Sequence, residues 1–314
     1  MKQKIFTILL ITVVALSACK KLDNQPDTRE FDKQQIEAYI SANGLNDFKA
    51  DTTKDGTGTT GMYYKILTPG SGDSVKYSDK LSLVYTLKSV DGKYVSSDTI
   101  NNHMSEFLGR LSAANLPKGL QLAIHNLLKY KGGSMRVLIP SRLAYGVNGF
   151  GSGSITNVNA RIAGNQSLDY YVHVISNQNA YDDQVIKNYI TANNLTGFQK
   201  DSSGVNATTH YWYKVNTPGT GPVEEINEFS TITTNYSGAL LNGFVFDNSA
   251  ATTATTLTPF NLIDGVQQAL TKHAVTGTQI SIFVPSALGY GTTPQTSIPA
   301  NSVLRFEFTI TKVE

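Results

Sequence analysis

The hydrophobic pattern of the chain repeats. Residues 31–51 read F-D-K-Q-Q-I-E-A-Y-I-S-A-N-G-L-N-D-F-K-A-D, and residues 181–201 read Y-D-D-Q-V-I-K-N-Y-I-T-A-N-N-L-T-G-F-Q-K-D. Ile36, Tyr39, Ile40, Ala42, Leu45 and Phe48 recur 150 residues later as Ile186, Tyr189, Ile190, Ala192, Leu195 and Phe198. Ile, Tyr and Ile at i, i+3 and i+4 form one helical stripe, so each half is expected to open with a short amphipathic helix. Asp32 with Gln35 fits an N-cap and its N3 partner. Gly44 and its counterpart Asn194 are the residues that best tolerate the left-handed position after a helix.

After each helix the period changes from helical to alternating, which predicts strands. The first half offers Tyr63–Leu67, a Thr68-Pro69-Gly70 turn, Leu81–Lys88, an Asp91-Gly92 hairpin signal and Tyr94–Ser97. The second offers Trp212–Val215, Thr217-Pro218-Gly219, Thr231–Tyr236, an Asn242-Gly243 hairpin signal and Phe244–Phe246. Asn-Gly and Asp-Gly suit tight hairpins because their backbones accept positive φ. A short apolar helix follows in each half, Gly119–Leu128 and Gly265–Lys272. The halves end in a strand, a loop and a last strand: Met135–Ile139 with Leu168–Ile175, and Ile280–Val284 with Val303–Val313. Few strands with one helix across them give an α+β module, present twice. The expected divisions are 1–18, 19–30, 31–178 and 179–314, with Asn177–Ala180 as the joint.

Two near-identical stretches stand where a strand meets a loop: I-P-S-R-L-A-Y-G at Ile139–Gly146 and V-P-S-A-L-G-Y-G at Val284–Gly291. Each reads as a sheet rim that offers a phenol, Tyr145 or Tyr290. Gly56–Gly61 matches G-x-G-x-x-G, but a polar loop precedes it and a strand-like run follows. Dinucleotide binding requires the opposite order and is set aside.

Composition narrows the function classes. The chain has 314 residues, 40% hydrophobic and 16% charged, with a net charge of +2. Lys2 and Lys4 sit in the leader, so the remainder is neutral. Nucleic-acid binding needs a basic face and gains no support. The five histidines are scattered and one cysteine is present, so neither a metal site nor an internal disulfide is expected.

Residues 1–18 combine a positive start, the twelve-residue apolar run Ile5–Leu16 and small residues before Cys19. The run is too short to span a bilayer, which takes ~20 residues. This is the secretory pattern, and Leu16-Ser17-Ala18-Cys19 resembles a bacterial lipobox. The resemblance implies acylation of Cys19, with residues 19–30 as a tether, and attachment to a membrane of the cell envelope on its periplasmic or surface face.

In the second half, landmarks follow one another in a specific order: Asn235-Tyr236-Ser237-Gly238, Phe246-Asp247-Asn248-Ser249, Pro259-Phe260, Ile263-Asp264-Gly265-Val266, Pro285, Tyr290-Gly291, Ile298-Pro299 and Leu304-Arg305-Phe306. Together they resemble the FKBP-type peptidyl-prolyl cis-trans isomerase family. The resemblance implies two tandem FKBP-like modules, each an antiparallel sheet wrapped on one helix and each preceded by a short helix. It implies catalytic roles for Tyr236, Phe246, Asp247, Ile263, Tyr290 and Phe306, and substrate contacts from Phe260, Val266 and Ile298. Val266 departs from the family, which has Trp there, and the segment from Phe260 to Ile263 is shorter than usual. The first half matches less well. Tyr85, Leu120, Tyr145, Ile162 and Tyr170 would line a degenerate site, with Val95-Ser96 in place of Phe-Asp.

An X-Pro amide isomerises through a twisted state with a barrier near 18–20 kcal/mol. Twisting breaks amide resonance and reduces charge separation, so a dry apolar pocket favours the twisted form. The resemblance implies that the Ile263 N–H and the Tyr290 hydroxyl hold substrate carbonyls. No cofactor or metal is required, and the expected partners are proline-containing polypeptides. Two other readings stay open: a non-catalytic chaperone or peptide-binding lipoprotein using the same clefts, and a pair of envelope spacers. Oligomeric state is not set by these residues.

Overall fold

A computed structural model describes residues 28–56, 58–112, 114–151, 160–201, 209–249 and 253–314. The leader, Cys19 and the tether up to residue 27 lie outside the described residues, as do residues 202–208. The tether expected to run to residue 30 ends earlier, because helix α1 begins at Thr28 and runs to Ala42. Glu30 supports that first turn by accepting a hydrogen bond from Gln34 Nε2 at 3.0 Å.

Each half is a seven-stranded antiparallel sheet. The first holds β1 (Lys49–Ala50), β2 (Tyr63–Thr68), β3 (Lys80–Ser89), β4 (Val95–Ser96), β5 (His103–Phe107), β6 (Ser134–Ile139) and β7 (Leu168–Ile175), in the order β1-β2-β6-β7-β3-β4 with β5 also on β3. The second holds β8 (Gln199–Lys200), β9 (Trp212–Thr217), β10 (Ile232–Leu240), β11 (Val245–Asn248), β12 (Thr255–Leu257), β13 (Gln279–Val284) and β14 (Leu304–Val313). Its order, β11-β10-β14-β13-β9-β8 with β12 on β10, repeats the first. The α+β class and the tandem arrangement hold. β1, β5, β8 and β12 are additions: K-A, H-M-S-E-F, Q-K and T-T-L are too short or too polar to show alternation, and pairing to a longer neighbour makes them strands.

One helix lies against each core. Helix α2 (Lys118–Ala123, extended by a π turn at Ile124–Leu128) packs Leu120, Ala123 and Ile124 under the first sheet. Helices α3 and α4 are Gln178–Ala192 and Asp264–His273, and α4 packs Val266, Ala269 and Leu270 under the second sheet. Close approach depends on a missing side chain. A Cβ on Gly119 would meet Ile139 Cγ2 at 2.3 Å, and one on Gly265 would meet Val284 Cγ1 at 2.6 Å.

The opening helices cover the opposite sheet faces. Ile36, Tyr39 and Ile40 of α1 pack on Leu138 and Tyr63. Ile186, Tyr189 and Ile190 of α3 pack on Phe283, Trp212, Leu241 and Val303. Both helices end in a left-handed residue, Gly44 at φ 64° and Asn194 at φ 53°. Asp32 does not cap its own helix. It is buried a full turn inside α1 and accepts the backbone N–H of Arg142 at 3.3 Å. Its counterpart Asp182 accepts the N–H and hydroxyl of Ser286 at 2.8 and 2.6 Å. Each carboxylate thus caps the short turn after the rim proline, while Asn177 caps α3 by accepting from the Ala180 N–H.

The two halves touch. Ile100 packs into two apolar clusters of the second half. Asn242 Nδ2 donates to Asp98 Oδ2 at 2.7 Å, and Asn301 Nδ2 donates to Ser82 Oγ at 3.1 Å.

Candidate active site

Register assembles the second-half site. On β14, Phe306 and Phe308 stand opposite Gly238 and Tyr236 of β10. These positions share one sheet face because side chains alternate. Asp247 of β11 stands opposite Gly238, and the register slips between Gly238 and Ala239, leaving Phe246 as the extra residue of a bulge. The bulge turns Phe246 onto Phe306, edge to face with centroids 5.7 Å apart at 80°. Tyr236 stacks on Phe308 at 5.6 Å.

Gly238 makes this possible. A Cβ there would lie 2.8 Å from ring atoms of both Phe246 and Phe306. Sequence reading gave this glycine no role, although its place two residues after Tyr236 on the same face was available as a signal.

The floor is Val266, buried at the start of α4, with Ile298 and Phe306 beside it. Ile263 is the N-cap of α4 at φ −62°, ψ 147°, and its N–H finds no partner among the described residues. Tyr236 Oη donates to Asp247 Oδ2 at 2.8 Å. Burial first, then that hydrogen bond and the Asp247 charge, push the Tyr236 phenol up to about 12, with a smaller contribution from Tyr290. The site therefore keeps a neutral phenol tied to an exposed carboxylate. Tyr290 follows the turn Ser286–Leu288 and is 37% exposed at the rim.

Phe260 is placed differently from the expectation. It is 60% exposed, lies within the turn at Pro259–Asn261 and stacks on Phe229 at 5.6 Å. The short connection to Ile263 carries it outward, and Leu257 and Leu262 pack against the core instead.

Residues 223–311 match the family model of the FKBP-type peptidyl-prolyl cis-trans isomerases. The second half is an FKBP-type domain. The chain is 34% identical over 120 residues to the FKBP-type peptidyl-prolyl cis-trans isomerase FkpA of Buchnera aphidicola subsp. Acyrthosiphon pisum, which covers 38% of this chain and 46% of that protein. It is 31% identical over 119 residues to a probable FKBP-type isomerase of Haemophilus influenzae, covering 38% and 44%. The chain thus spans less than half the length of the curated relatives it matches. The crystal structure of FkpA from Escherichia coli aligns at TM-score 0.36 and 26% identity over 43% of this chain and 61% of that one. The three FKBP domains of wheat FKBP73 align at TM-score 0.33 and 18% identity, over 85% and 98%.

The corresponding positions of the first half carry different residues. Leu87 stands opposite Tyr170 and Ser96, where the second half has Gly238 opposite Phe306 and Asp247. Tyr170 is fully buried, 5.9 Å from Tyr85. Burial pushes the Tyr85 phenol up to about 12. Tyr145, the rim phenol, donates to the Asn115 carbonyl at 2.9 Å and stacks on Phe150 at 4.6 Å. Phe150 is held in turn by paired backbone bonds to Ile162 at 2.9 and 2.8 Å. Leu120 and Ile162 are core residues, and Val95 is 58% exposed. Leu87, Tyr170 and the Tyr145–Phe150 stack thus stand at the positions that correspond to Gly238, Phe306 and Tyr290 of the second half.

Proposed function

We propose that the protein is a peptidyl-prolyl cis-trans isomerase acting through its second half on X-Pro bonds of extracytoplasmic polypeptides. The observation that carries this reading is the Gly238 cradle. An aromatic corner of Phe246, Phe306 and Tyr236 surrounds an apolar floor, with the Tyr236–Asp247 pair on its polar edge. Such a surface excludes water from the prolyl ring and favours the less charge-separated twisted amide. The free Ile263 N–H and the Tyr290 hydroxyl supply donors for the carbonyls flanking the bond. No proton transfer or nucleophile enters the step.

The named FkpA relatives and the order of motifs support this reading, and the lipobox-like Leu16–Cys19 supports a lipid anchor in the cell envelope. No helix among the described residues is long and apolar enough to cross a membrane. In this reading the first half is a non-catalytic module. The test is acceleration of cis-to-trans exchange in an X-Pro peptide by the chain lacking residues 1–18, set beside Tyr290→Phe. Absence of acceleration by the unaltered chain removes the isomerase reading. Cys19→Ala is expected to release the protein from membranes.

A peptide-holding reading is favoured by one observation, the exposed Phe229–Phe260 stack. It stands alone if the chain suppresses aggregation of an unfolded protein yet leaves X-Pro exchange at the uncatalysed rate.

A further inference from the structure

The rim that carries Tyr290 and Ile298 is tied at both ends to one hydrogen-bonded circuit, and part of that circuit belongs to the first half. At the start of the rim, Ser286 donates its N–H and hydroxyl to Asp182 Oδ2. Asp182 Oδ1 accepts from Gln178 Nε2 at 2.6 Å, and Gln178 Oε1 accepts from Ser82 Oγ at 2.5 Å. At the end of the rim, Asn301 Nδ2 donates back to Ser82 Oγ at 3.1 Å. The circuit closes through the rim backbone: Asn301 N–H donates to Gly291 O at 2.7 Å, and Gly291 N–H donates to Ser286 O at 2.8 Å.

Donor chemistry gives the circuit one direction. An ionised carboxylate only accepts, so the Gln178 amide nitrogen must face Asp182 and its oxygen must face Ser82. The single Ser82 proton is then committed to Gln178, which leaves its lone pairs for Asn301. His103 Nε2, 3.3 Å from Ser82 Oγ, can join only as a donor. Asp182, Ser286 and Asn301 are 0%, 1% and 3% exposed, so water does not substitute readily for a lost partner. Asn301 holds φ 58°, a conformation its side-chain bond helps to define. Lys80, two residues before Ser82, also reaches the rim at Thr292 Oγ1, 3.5 Å away. Among the described residues the first half has no such circuit. Thr28 stands where Gln178 would be, and Asp32 Oδ1 is buried without a partner among the described residues.

We infer that Ser82, Gln178 and Asp182 are positioning residues for the second-half site, and that the first half works as a mount fixing the Tyr290 rim. This rests on the isomerase reading of that site. Tyr290 sits between the two anchored ends, so slack at Ser82 is transmitted to its hydroxyl through Asn301 and Gly291.

The test uses the chain lacking residues 1–18 with Ser82→Ala, Gln178→Ala and the hydroxyl-retaining Ser82→Thr. X-Pro exchange kinetics and amide hydrogen exchange are both read. Ser82→Ala and Gln178→Ala are expected to lower kcat/KM roughly three- to tenfold. They are also expected to speed exchange at the Gly291 and Asn301 amides while the amides of β13 and β14 keep their protection. Ser82→Thr is expected to restore both readouts. Unchanged rim exchange and kinetics in both alanine variants overturn the inference. Uniform acceleration at every amide overturns it too, because that reports general destabilisation. If the unaltered chain does not accelerate X-Pro exchange, the isomerase reading falls, and rim exchange alone decides whether the mount exists.

Discussion

The two clefts of this protein share a topology and differ in what fills them. In the second half Gly238 leaves space, and Phe246 and Phe306 turn their rings into it. In the first half Leu87 occupies the matching position and Tyr170 replaces the phenylalanine. The rim tyrosines diverge in the same way: Tyr290 is offered to solvent, whereas Tyr145 is spent on the Asn115 carbonyl. The Tyr-Gly rim is therefore a property of the fold. What differs is the residue facing the ring on the neighbouring strand, Gly238 against Phe306 in one half and Leu87 against Tyr170 in the other.

The most severe way to break this comparison is to import the first half's leucine. Gly238→Leu is expected to reduce kcat/KM on the order of 100-fold, since displaced rings misplace the substrate, and to destabilise the chain by about 1–3 kcal/mol. Exchange kinetics and denaturant titration measure the two effects. Asp247→Ala is milder. It removes the acceptor of the Tyr236 hydroxyl and is expected to lower kcat/KM roughly tenfold, the size of a charge-assisted hydrogen bond. A full-rate Asp247→Ala enzyme would assign that carboxylate to the turn alone.

The joint between the halves gives a sharper contrast through pH. Burial pushes Asp182 up to about 6 and His103 down to about 4, the latter with a smaller push from His173. A raised Asp182 contributes stability that is complete below pH 3.8 and is lost as pH rises through about 6. A depressed His103 contributes stability that is complete above pH 6.5 and is lost as pH falls through about 4. The slopes oppose. Asp182→Asn is expected to leave stability rising with pH between about 4 and 6, and His103→Gln to leave it falling, each by on the order of 3 kcal/mol across the window. Denaturation midpoints across that range read both slopes, and parallel slopes in the two variants would contradict the assignment. The smallest effect belongs to Tyr145→Phe. It should cost about 1 kcal/mol of stability and leave X-Pro exchange unchanged, whereas a loss of rate would show that the first cleft participates.

Much of this organisation was legible in the sequence, because periodicity reports burial. The stripes of Ile36–Ile40 and Ile186–Ile190 located the opening helices, and Pro285 with Tyr290-Gly291 located the rim. Individual side chains escaped where their partner is distant in sequence. Asp32 looked like the cap of its own helix, yet its partner lies 110 residues away, and its counterpart Asp182 finds its partner 104 residues away. The resemblance implied a substrate contact for Phe260, yet the residue lies 60% exposed within a three-residue turn whose fold is set by the short connection to Ile263. Gly238 stood in a landmark with no role attached, because a glycine's value lies in the atoms it leaves out. The circuit through Ser82 was invisible for the same reason as the caps: its members come from three separate stretches, and only folding makes them neighbours.

The position of β14 within its sheet has a consequence for biogenesis. β14 lies between β10 and β13, and β10 cannot complete its ladder without it. A chain emerging from its N-terminus can therefore finish the first sheet at Ile175 and dock α1 before any strand of the second has been made. The FKBP-type sheet must wait for its final strand. For that interval the finished first half, with Ser82 and Ile100 already in place, is a folded template beside an unfinished neighbour, so the older-emerging module can guide the second one as it closes.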